Sequence, residues 1–342
     1  MNISLHAIRQ LALISLFSIS LFSQEDEVSL NAMKWRSVGP ATTSGRIADI
    51  AVDPQDHNTF YIGVASGGVW KTTNNATTWQ PIFDGESSYS IGCVAINPHN
   101  RHEVWVGTGE NNNQRSVAYG DGVYKSSDGG KSWKNVGLEQ SEHIGMIAFH
   151  PQNSQTLMVA AYGPLWSAGG ERGVYKSEDG GANWRLVKSV NEHTGFNEVH
   201  YHPTVKGLVF ATAHQRRRHV WTHLSSGPGS GLYRSFDDGE NWEEVTSGLP
   251  GGDKGRLSLA ISPADPDRMY LMVEGHGTYI STDRGASWNM GSDHYTSGNY
   301  YVELIAHPTD PMTVYSMDTW AHWSIDGGKT FKRMPEAMKH VD

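Results

Sequence analysis

Four acidic residues of this 342-residue chain could take part in hydrolysis. Each follows or lies within a strand-like segment: Glu110, Glu198, Glu274 and Asp318. Cleavage of a glycosidic bond needs two carboxyl groups, one to protonate the leaving oxygen and one to act as base or nucleophile. No sequence spacing pairs any two of these residues. Glu110, Glu274 and Asp318 are therefore weak catalytic candidates, and the sequence leaves enzymatic activity undecided.

Acid–histidine pairs raise the question of a metal site. They precede three strand-like segments: Glu142–His143, Glu192–His193 and Asp293–His294. Histidine with carboxylate suits zinc or another divalent ion, but adjacent side chains on a loop seldom both point at one ion. We therefore expect solvated loops, without a bound metal or cofactor. The basic run Arg216–His219 could hold a carboxylate or a sulfate, or be an ordinary exposed loop.

The composition narrows the class of protein. The chain has 38 Gly, 12 Trp and 14 Tyr with 18% charged residues, which is atypical of a helical bundle. The net charge of -9 gives no overall attraction to nucleic-acid phosphates, so no nucleic-acid partner is expected. Cys93 is the single cysteine, which excludes an intrachain disulfide, and its apolar neighbours predict a buried, unreactive thiol.

One motif repeats along the chain and organises the elements that carry these residues. It reads Ser/Thr-x-Asp-x-Gly-x-x-aromatic, and we call each copy a box. Five clear copies span residues 126–133, 177–184, 235–242, 281–288 and 324–331, and a degenerate copy spans residues 72–79. Their separation of roughly 40–60 residues matches one four-stranded propeller blade with loop insertions.

Each box is predicted to be a structural turn rather than a binding site. The Asp carboxylate and the Ser/Thr hydroxyl can bond the backbone of the turn, and the Gly can take a positive φ. The aromatic ring is expected to pack beneath the hairpin. The predicted structural side chains are Asp128, Asp179, Asp237, Asp283, Asp326, Trp133, Trp184, Trp242 and Trp288.

Three strand-like segments precede each box and a fourth begins at its aromatic residue. This arrangement predicts an all-β propeller of six four-stranded antiparallel blades. The first strands are expected to begin near Ile47, Ile91, Ile144, Phe196, Leu257 and Tyr301. With the strands lettered A to D from the channel outward, the box is the C–D turn. The B–C and D–A loops then share the opposite face, which we call the loop face.

The N-terminus is typical of an export signal. His6 and Arg9 precede the apolar stretch Leu11–Phe22, which is too short to cross a bilayer as a helix. We expect residues 1–23 to be a signal peptide, residues 24–34 a linker and residues 35–342 the propeller. The mature protein is then secreted, periplasmic or on the outer cell surface, without a transmembrane helix.

The segment Trp35–Val38 is similar to the D strands, yet no A to C strands precede it. An N-terminal strand often completes the last blade of a propeller and so removes exposed edges. All six repeats already have a D strand, so this segment needs another blade. We expect sequence beyond residue 342 to complete the ring and further C-terminal domains to follow.

These motifs together resemble the Asp-box, or BNR, repeats of sialidases, xyloglucan-specific glycoside hydrolases and the sortilin propeller. The similarity is greatest to exported bacterial proteins labelled sortilin-like or glycosyl hydrolase. It rests on the motifs WRSVGP at Trp35–Pro40, GRI at Gly45–Ile47 and SGGVWKTTN at Ser66–Asn74. The resemblance covers about residues 33–342, and it is specific for the fold and weak for an activity.

Two catalytic patterns that the resemblance implies are incomplete here. Xyloglucan-specific hydrolases of this class carry an Asp in a TDxGGxY segment of the first blade, where this chain has Ser66. Sialidases need three arginines from separate blades and an Arg-Ile-Pro element, whereas Arg46 and Ile47 are followed here by Ala48.

We therefore expect the loop face to bind a protein, peptide or glycan. The alternative is a xyloglucanase-like or sialidase-like hydrolase, and a third option is a purely structural domain. The loops are expected to bring these residues around one mouth: Glu110, Asn111, Arg115, Glu142, His143, His193, Arg217, Glu274, His276, Asp318 and Trp320. Trp320 and Tyr162 are the predicted apolar platforms for a sugar or a peptide.

Overall fold

The computed structural model describes residues 45–114 and 116–335. The predicted signal peptide, the linker, the segment Trp35–Val38 and Arg115 lie outside the described residues. The described part forms an all-β propeller of six four-stranded antiparallel blades, which confirms the predicted fold. Its helical content is one 3-10 turn, Glu139–Ser141. Within this part of the chain, no helix has the length and hydropathy needed to cross a bilayer.

Blades one to three run in chain order from the channel strand A to the rim strand D. Their strands are β1 (Ile47–Val52), β2 (Phe60–Val64), β3 (Gly68–Thr72), β4 (Gln80–Pro81), β5 (Ile91–Asn97), β6 (Asn100–Thr108), β7 (Val123–Ser126), β8 (Lys134–Asn135), β9 (Ile144–Phe149), β10 (Leu157–Ala161), β11 (Gly173–Ser177) and β12 (Arg185–Lys188).

Blades four to six repeat this order, and a separate two-stranded hairpin, β15–β16, is inserted into the B–C loop of blade four. Their strands are β13 (Thr194–Tyr201), β14 (Val209–Gln215), β15 (Arg217–His219), β16 (Thr222–Leu224), β17 (Gly231–Ser235), β18 (Glu243–Val245), β19 (Leu257–Ile261), β20 (Met269–Val273), β21 (Gly277–Ser281), β22 (Asn289–Ser292), β23 (Glu303–Ala306), β24 (Val314–Met317), β25 (His322–Ser324) and β26 (Lys332–Arg333).

The A strands begin where the apolar pattern predicts them. β1, β5, β9 and β19 start at the predicted residue, and β13 and β23 start two residues away, at Thr194 and Glu303. The apolar pattern is informative because each A strand lies between the channel and the packed interior of its blade. An A strand therefore needs apolar side chains at regular positions.

The box of blade three illustrates the turn chemistry. Ser177 Oγ donates to Asp179 Oδ1 (2.9 Å) and accepts from the backbone N–H of Gly181 (2.8 Å). Asp179 also accepts from the backbone and side chain of Asn183, and these bonds lower the pKa of its carboxyl group to about 2. Gly181 has a φ of 87°, and a Cβ there would lie 2.4 Å from the Trp105 ring of blade two.

The other clear boxes make the same hydroxyl-to-carboxylate bond, at Asp128, Asp237, Asp283 and Asp326. Their aromatic rings differ in burial. Trp288 is 2% exposed, whereas Trp133, Trp184 and Trp242 are only partly buried. The indole N–H of Trp133 bonds the carbonyl of Ile82 in the preceding blade (2.7 Å).

Side chains of the A strands tie neighbouring blades together along the channel. Asp49 Oδ2 accepts from the backbone N–H of Val94 in blade two (2.9 Å). Glu198 Oε2 accepts in the same way from Leu259 of blade five (2.7 Å). Glu303 has the corresponding register position in blade six, opposite the last residue of β24. It therefore faces the seam between blade six and blade one.

This seam differs from the other five. Each pair of consecutive blades from one to six shares a buried hydrophobic cluster in the described part of the chain. Between blades six and one there is instead a cavity of about 290 Å³, and Ile47, Ile50 and Ile305 beside it are each about half exposed. Completion of the ring by sequence beyond residue 342 stays a prediction.

Glu303 gives the propeller a testable pH dependence. Burial raises the pKa of its carboxyl group from 4.5 to about 7, Arg256 opposes the shift and Asp49 adds to it. The folded state therefore binds the proton more tightly than the unfolded chain does. The resulting contribution to the free energy of unfolding is on the order of 1–3 kcal/mol. It is fully present below pH 4 and is lost as the pH rises through 7. Urea unfolding measured at several pH values should show a smaller decrease in the free energy of unfolding between pH 4 and pH 7 for Glu303→Gln than for the parent protein. The same decrease in both proteins would contradict the assignment.

Candidate functional site

The B–C insertion of blade two folds over the loop-face end of the channel. Residues 110–113, which we call the plug, are all buried. The carbonyl of Asn111 accepts from Arg256 Nη1 (3.0 Å), and that of Asn112 accepts from Arg216 Nη1 (2.6 Å). These arginines come from blades five and four. The loops thus converge on one mouth, but at its centre they bind one another.

Glu110 is a structural member of the plug. Its Oε1 accepts from Arg46 Nε (2.7 Å), Asn112 Nδ2 (2.6 Å) and the Tyr301 hydroxyl (3.1 Å). Arg46 precedes the first strand of blade one, and Tyr301 precedes that of blade six. The fully buried carboxylate therefore bridges the loop-face end of the open seam. This contradicts the expectation that Glu110 meets a ligand.

Two further predicted site residues are also buried. Tyr162 cannot be a ligand platform, because the Arg216 guanidinium covers its ring at 3.6 Å and its hydroxyl bonds His214 Nδ1 (2.7 Å). His143 is buried beside the plug, and this burial lowers the pKa of its ring well below the usual value. Both residues fill space under the loops instead of lining an opening.

Other predicted residues lie apart from one another on the loops. His193 is partly exposed and pairs with its neighbour Glu192 (3.4 Å). His276 bonds the carbonyl of Asp253 (3.1 Å), and Arg217 belongs to the β15–β16 hairpin. Glu142 is partly buried, which raises the pKa of its carboxyl group. The structure does not bring these residues into a common site.

Glu198 lies in the channel wall and not on the loop face. A cavity of about 170 Å³ beneath the plug is lined by Asn111, Glu198, Arg256 and Glu303, among others. Glu198 bonds the neighbouring blade and His200 Nε2 (3.2 Å). In the described part of the chain, no three His, Cys, Asp or Glu residues are grouped so that they could hold a metal ion. Cys93 is buried.

Three predicted residues do meet, in a cleft between blades five and six. Glu274, Asp318 and Trp320 line an opening of about 610 Å³ on the loop face. The two acids come from the B–C turns of these blades, and the D–A loop between them forms the floor. We call this opening the cleft. It holds the only pair of the predicted catalytic candidates that shares an opening among the described residues.

Consecutive backbone amides hold the two carboxylates of the cleft. Glu274 Oε1 accepts from the N–H of Gly298 (2.6 Å), and Asp318 Oδ2 accepts from that of Ser297 (3.2 Å). Consecutive Cα atoms are only about 3.8 Å apart, so the two acids are neighbours. Glu274 also accepts from the N–H of Arg256 (3.0 Å), which fixes its orientation.

The cleft favours the protonated form of Glu274. Burial is the main cause that raises the pKa of this carboxyl group, and the nearby charge of Asp318 adds to it. The hydrogen bonds from Arg256 and Gly298 act in the opposite direction. Two carboxyl groups with different surroundings are the arrangement that acid–base catalysis requires.

Trp320 is a predicted member of the cleft, but the sequence does not place the other aromatic rings, those of Tyr295, His294 and His322, in it. Tyr295 is 49% exposed and lines it, together with His294 and His322. The His294 ring stacks on Phe331, with centroids 4.2 Å apart, and burial lowers its pKa to about 4. The pair Asp293–His294 was considered only for metal binding, and its neighbour Tyr295 could have been noticed as an aromatic residue on a D–A loop.

Known proteins of two kinds match this chain. A model of the family described as sortilin, neurotensin receptor 3, matches residues 230–342. Xyloglucanase Xgh74A of Acetivibrio thermocellus is 23% identical over 219 residues, which cover 57% of this chain and 25% of the relative. A xyloglucanase of Hypocrea jecorina is 25% identical over 303 residues, which cover 86% of this chain and 32% of the relative.

A solved structure described as YCF48 bound to D1 peptide supports the fold. It is 15% identical with a TM-score of 0.56, and the match covers 86% of this chain and 84% of that one. These matches fit a sortilin-like, glycosyl-hydrolase-labelled propeller. The chain spans about a quarter to a third of the length of the two xyloglucanases.

Within this sortilin-like propeller, Ser66 lies in the B–C turn of blade one, between β2 and β3. It is partly buried, and a Cβ on Gly45 would come within 3.1 Å of its side chain. A hydroxyl group with an ordinary environment cannot replace a carboxylic acid as a proton donor. Glu274 and Asp318, which line the cleft, lie instead in blades five and six.

Proposed function

We propose that the cleft binds a glycan and hydrolyses it, with Glu274 as general acid and Asp318 as base or nucleophile. The observation that carries this proposal is the pair of neighbouring carboxyl groups held by consecutive amides in one opening. Glycoside hydrolysis requires two such groups on either side of the scissile bond. The xyloglucanase relatives support a β-linked glycan such as xyloglucan as the substrate class.

The division of roles rests on Glu274. Burial raises the pKa of its carboxyl group, which makes the protonated form easier to populate, so we assign Glu274 as the group that gives a proton to the leaving oxygen. Asp318 then attacks the anomeric carbon directly or removes a proton from an attacking water. If Asp318 attacks directly, a water deprotonated by Glu274 then cleaves the glycosyl–Asp318 ester, which restores both groups. If Asp318 acts as base, it takes the proton of the attacking water and releases it to solvent, and Glu274 is reprotonated from solvent. Each turnover consumes one water molecule in either case.

The remaining lining suits a sugar. Tyr295 and Trp320 provide aromatic rings, and a pyranose has apolar faces that pack against such rings. The Arg333 guanidinium lies 3.3 Å from the centroid of the Trp320 ring and covers one of its faces, so Tyr295, which is 49% exposed, is the more open platform. Backbone and side-chain groups of Thr296 and Ser297 supply polar partners for the sugar hydroxyls.

The second candidate function is recognition of a glycan without cleavage. Ser66 favours it, because the resemblance to xyloglucan-specific hydrolases implies an Asp at this place in the first blade. In this case the cleft binds the same ligand and Glu274 and Asp318 act as hydrogen-bond partners. An exported protein can reach a polymeric glycan outside the cell, and the predicted signal peptide at residues 1–23 supports both functions; retention in the cytoplasm would contradict that prediction.

Turnover by the whole chain separates the two candidates. We expect release of reducing ends from xyloglucan or another β-glucan in a panel of soluble polysaccharides. Glu274→Gln combined with Asp318→Asn should abolish this release and retain binding in calorimetry. Binding by the parent protein without any release would establish recognition alone. Release that persists in the double variant would exclude the cleft as the catalytic site.

A further inference from the structure

A hairpin turn on the loop face has an unusual composition. β15 and β16 pair up to His219 and Thr222, which leaves Val220 and Trp221 as a two-residue turn. Such turns favour Gly, Asn or Asp, since the preferred turn types need a positive φ. Neither residue here has a positive φ, and both side chains are large and apolar. Turn formation therefore gives no reason for this pair of residues.

Burial does not explain the presence of Val220 and Trp221 in this turn either. Val220 is 92% exposed and Trp221 is 82% exposed, the highest values among the large apolar residues that the structure describes. An indole ring left in water forgoes the free energy that its burial would gain. A local rule broken without structural compensation is typical of a functional position.

The base of the hairpin is rigidly anchored. Arg218 is buried, and its Nε donates to the carbonyl of Asn113 in the plug (2.5 Å). Its backbone N–H donates to the carbonyl of Leu165 in blade three (3.0 Å). At the tip, the His219 ring stacks on the Trp221 ring at 13°, with centroids 5.3 Å apart. The exposed indole is thus held in place before any ligand arrives, which lowers the entropy cost of binding.

We propose that Trp221 is a second platform for a sugar ring, on the same glycan chain that occupies the cleft. The site itself is argued from the hairpin, and the identity of the ligand rests on the proposed function. His219 stacks on the indole, and Arg217 and Thr222 belong to the same hairpin, so an aromatic ring and hydrogen-bonding side chains occur together there, a combination suited to a pyranose. A protein partner fits less well, because two apolar side chains are far smaller than the roughly 800 Å² per partner of a stable protein interface.

The position of the hairpin predicts a dependence on ligand length. It belongs to blade four and contacts loops of blades two and three, whereas the cleft lies between blades five and six. A long chain can contact both sites across the loop face, and a short oligosaccharide in the cleft cannot. Trp221 therefore contributes to binding of the polymer and not to cleavage of short substrates.

Affinity electrophoresis in gels that contain soluble xyloglucan tests this inference. Trp221→Ala should raise the apparent Kd for the polymer about tenfold, the effect of one stacked aromatic ring, and leave kcat/KM for a short oligosaccharide unchanged. Phe236→Ala is the matched control, because Phe236 is 62% exposed in the same blade but lies in the box turn on the opposite face. Its affinity should equal that of the parent protein.

The outcomes separate this inference from the proposed function. An unchanged Kd in Trp221→Ala, or an equal loss in Phe236→Ala, would overturn the platform even if hydrolysis is observed. Loss of polymer binding in Trp221→Ala alone supports the platform, including the case in which the parent protein binds without cleaving. A loss of kcat/KM on the short substrate would also overturn it, since that result puts Trp221 at the cleft.

Discussion

Glu274→Gln is expected to lower kcat on a glycan substrate by about 10²–10⁴-fold, the usual contribution of a general acid. The amide has nearly the same size, and its oxygen can still accept from one of the two backbone N–H groups that bind the carboxylate, those of Gly298 and Arg256, so one of these two bonds is lost. The amide has no proton to give to the leaving oxygen. Steady-state kinetics should therefore show a large loss in kcat with a small change in KM.

Asp253→Asn is a suitable control for this result, because Asp253 is an exposed acid on a neighbouring loop of the same face. Its kcat should match that of the parent protein. The parent enzyme should also lose activity at alkaline pH with a midpoint above the ordinary pKa of a glutamic acid, since the reactive form of Glu274 is protonated. Equal rates for Glu274→Gln and the parent protein would remove Glu274 from the mechanism.

Glu110→Ala should lower the free energy of unfolding by about 1–3 kcal/mol, the cost of leaving buried polar partners without their acceptor, because Arg46 itself is partly exposed. The change leaves the Arg46 guanidinium and the Tyr301 hydroxyl without their shared acceptor. It also cuts the bridge between blades six and one at the loop face. Urea unfolding followed by tryptophan fluorescence measures this effect.

Glu192→Ala provides the comparison, because Glu192 is exposed and pairs only with its neighbour His193. Its unfolding free energy should differ from that of the parent protein by less than about 0.5 kcal/mol. If Glu110→Ala were fully stable but inactive, Glu110 would belong to the catalytic site and its structural assignment would be wrong.

The sequence predicts the blades well because their signals are local. A box such as Ser177–Trp184 contains all the groups that make its turn, so its pattern alone locates the C and D strands on either side. The apolar segments before each box locate the A and B strands for the same reason. Residue types and spacing are enough when the interacting groups are close in the chain.

The site depends on contacts between distant segments, and there the sequence is a poorer guide. Glu110 is a plausible catalytic acid until Arg46 and Tyr301 are found beside it, 64 and 191 residues away. Tyr162 is a plausible platform until Arg216 is found to cover its ring. No periodicity in the sequence encodes how long loops from different blades fold over one another.

The cleft shows the same limit in the opposite direction. Glu274 and Asp318 each follow or lie within a strand-like segment, but nothing in the sequence pairs them. They become neighbours because the D–A loop between their blades presents the amides of Ser297 and Gly298 to both. This pairing is a tertiary feature, produced by one irregular loop.

The most direct test of the cleft as catalytic site is a crystal structure of the Glu274→Gln variant with a bound xyloglucan oligosaccharide. We predict that the scissile oxygen lies within hydrogen-bond distance of the side chain at position 274. The anomeric carbon should face Asp318, and a sugar ring should pack against Tyr295 or Trp320. An oligosaccharide bound in another blade, or in the cleft with neither acid near a glycosidic bond, would contradict the account.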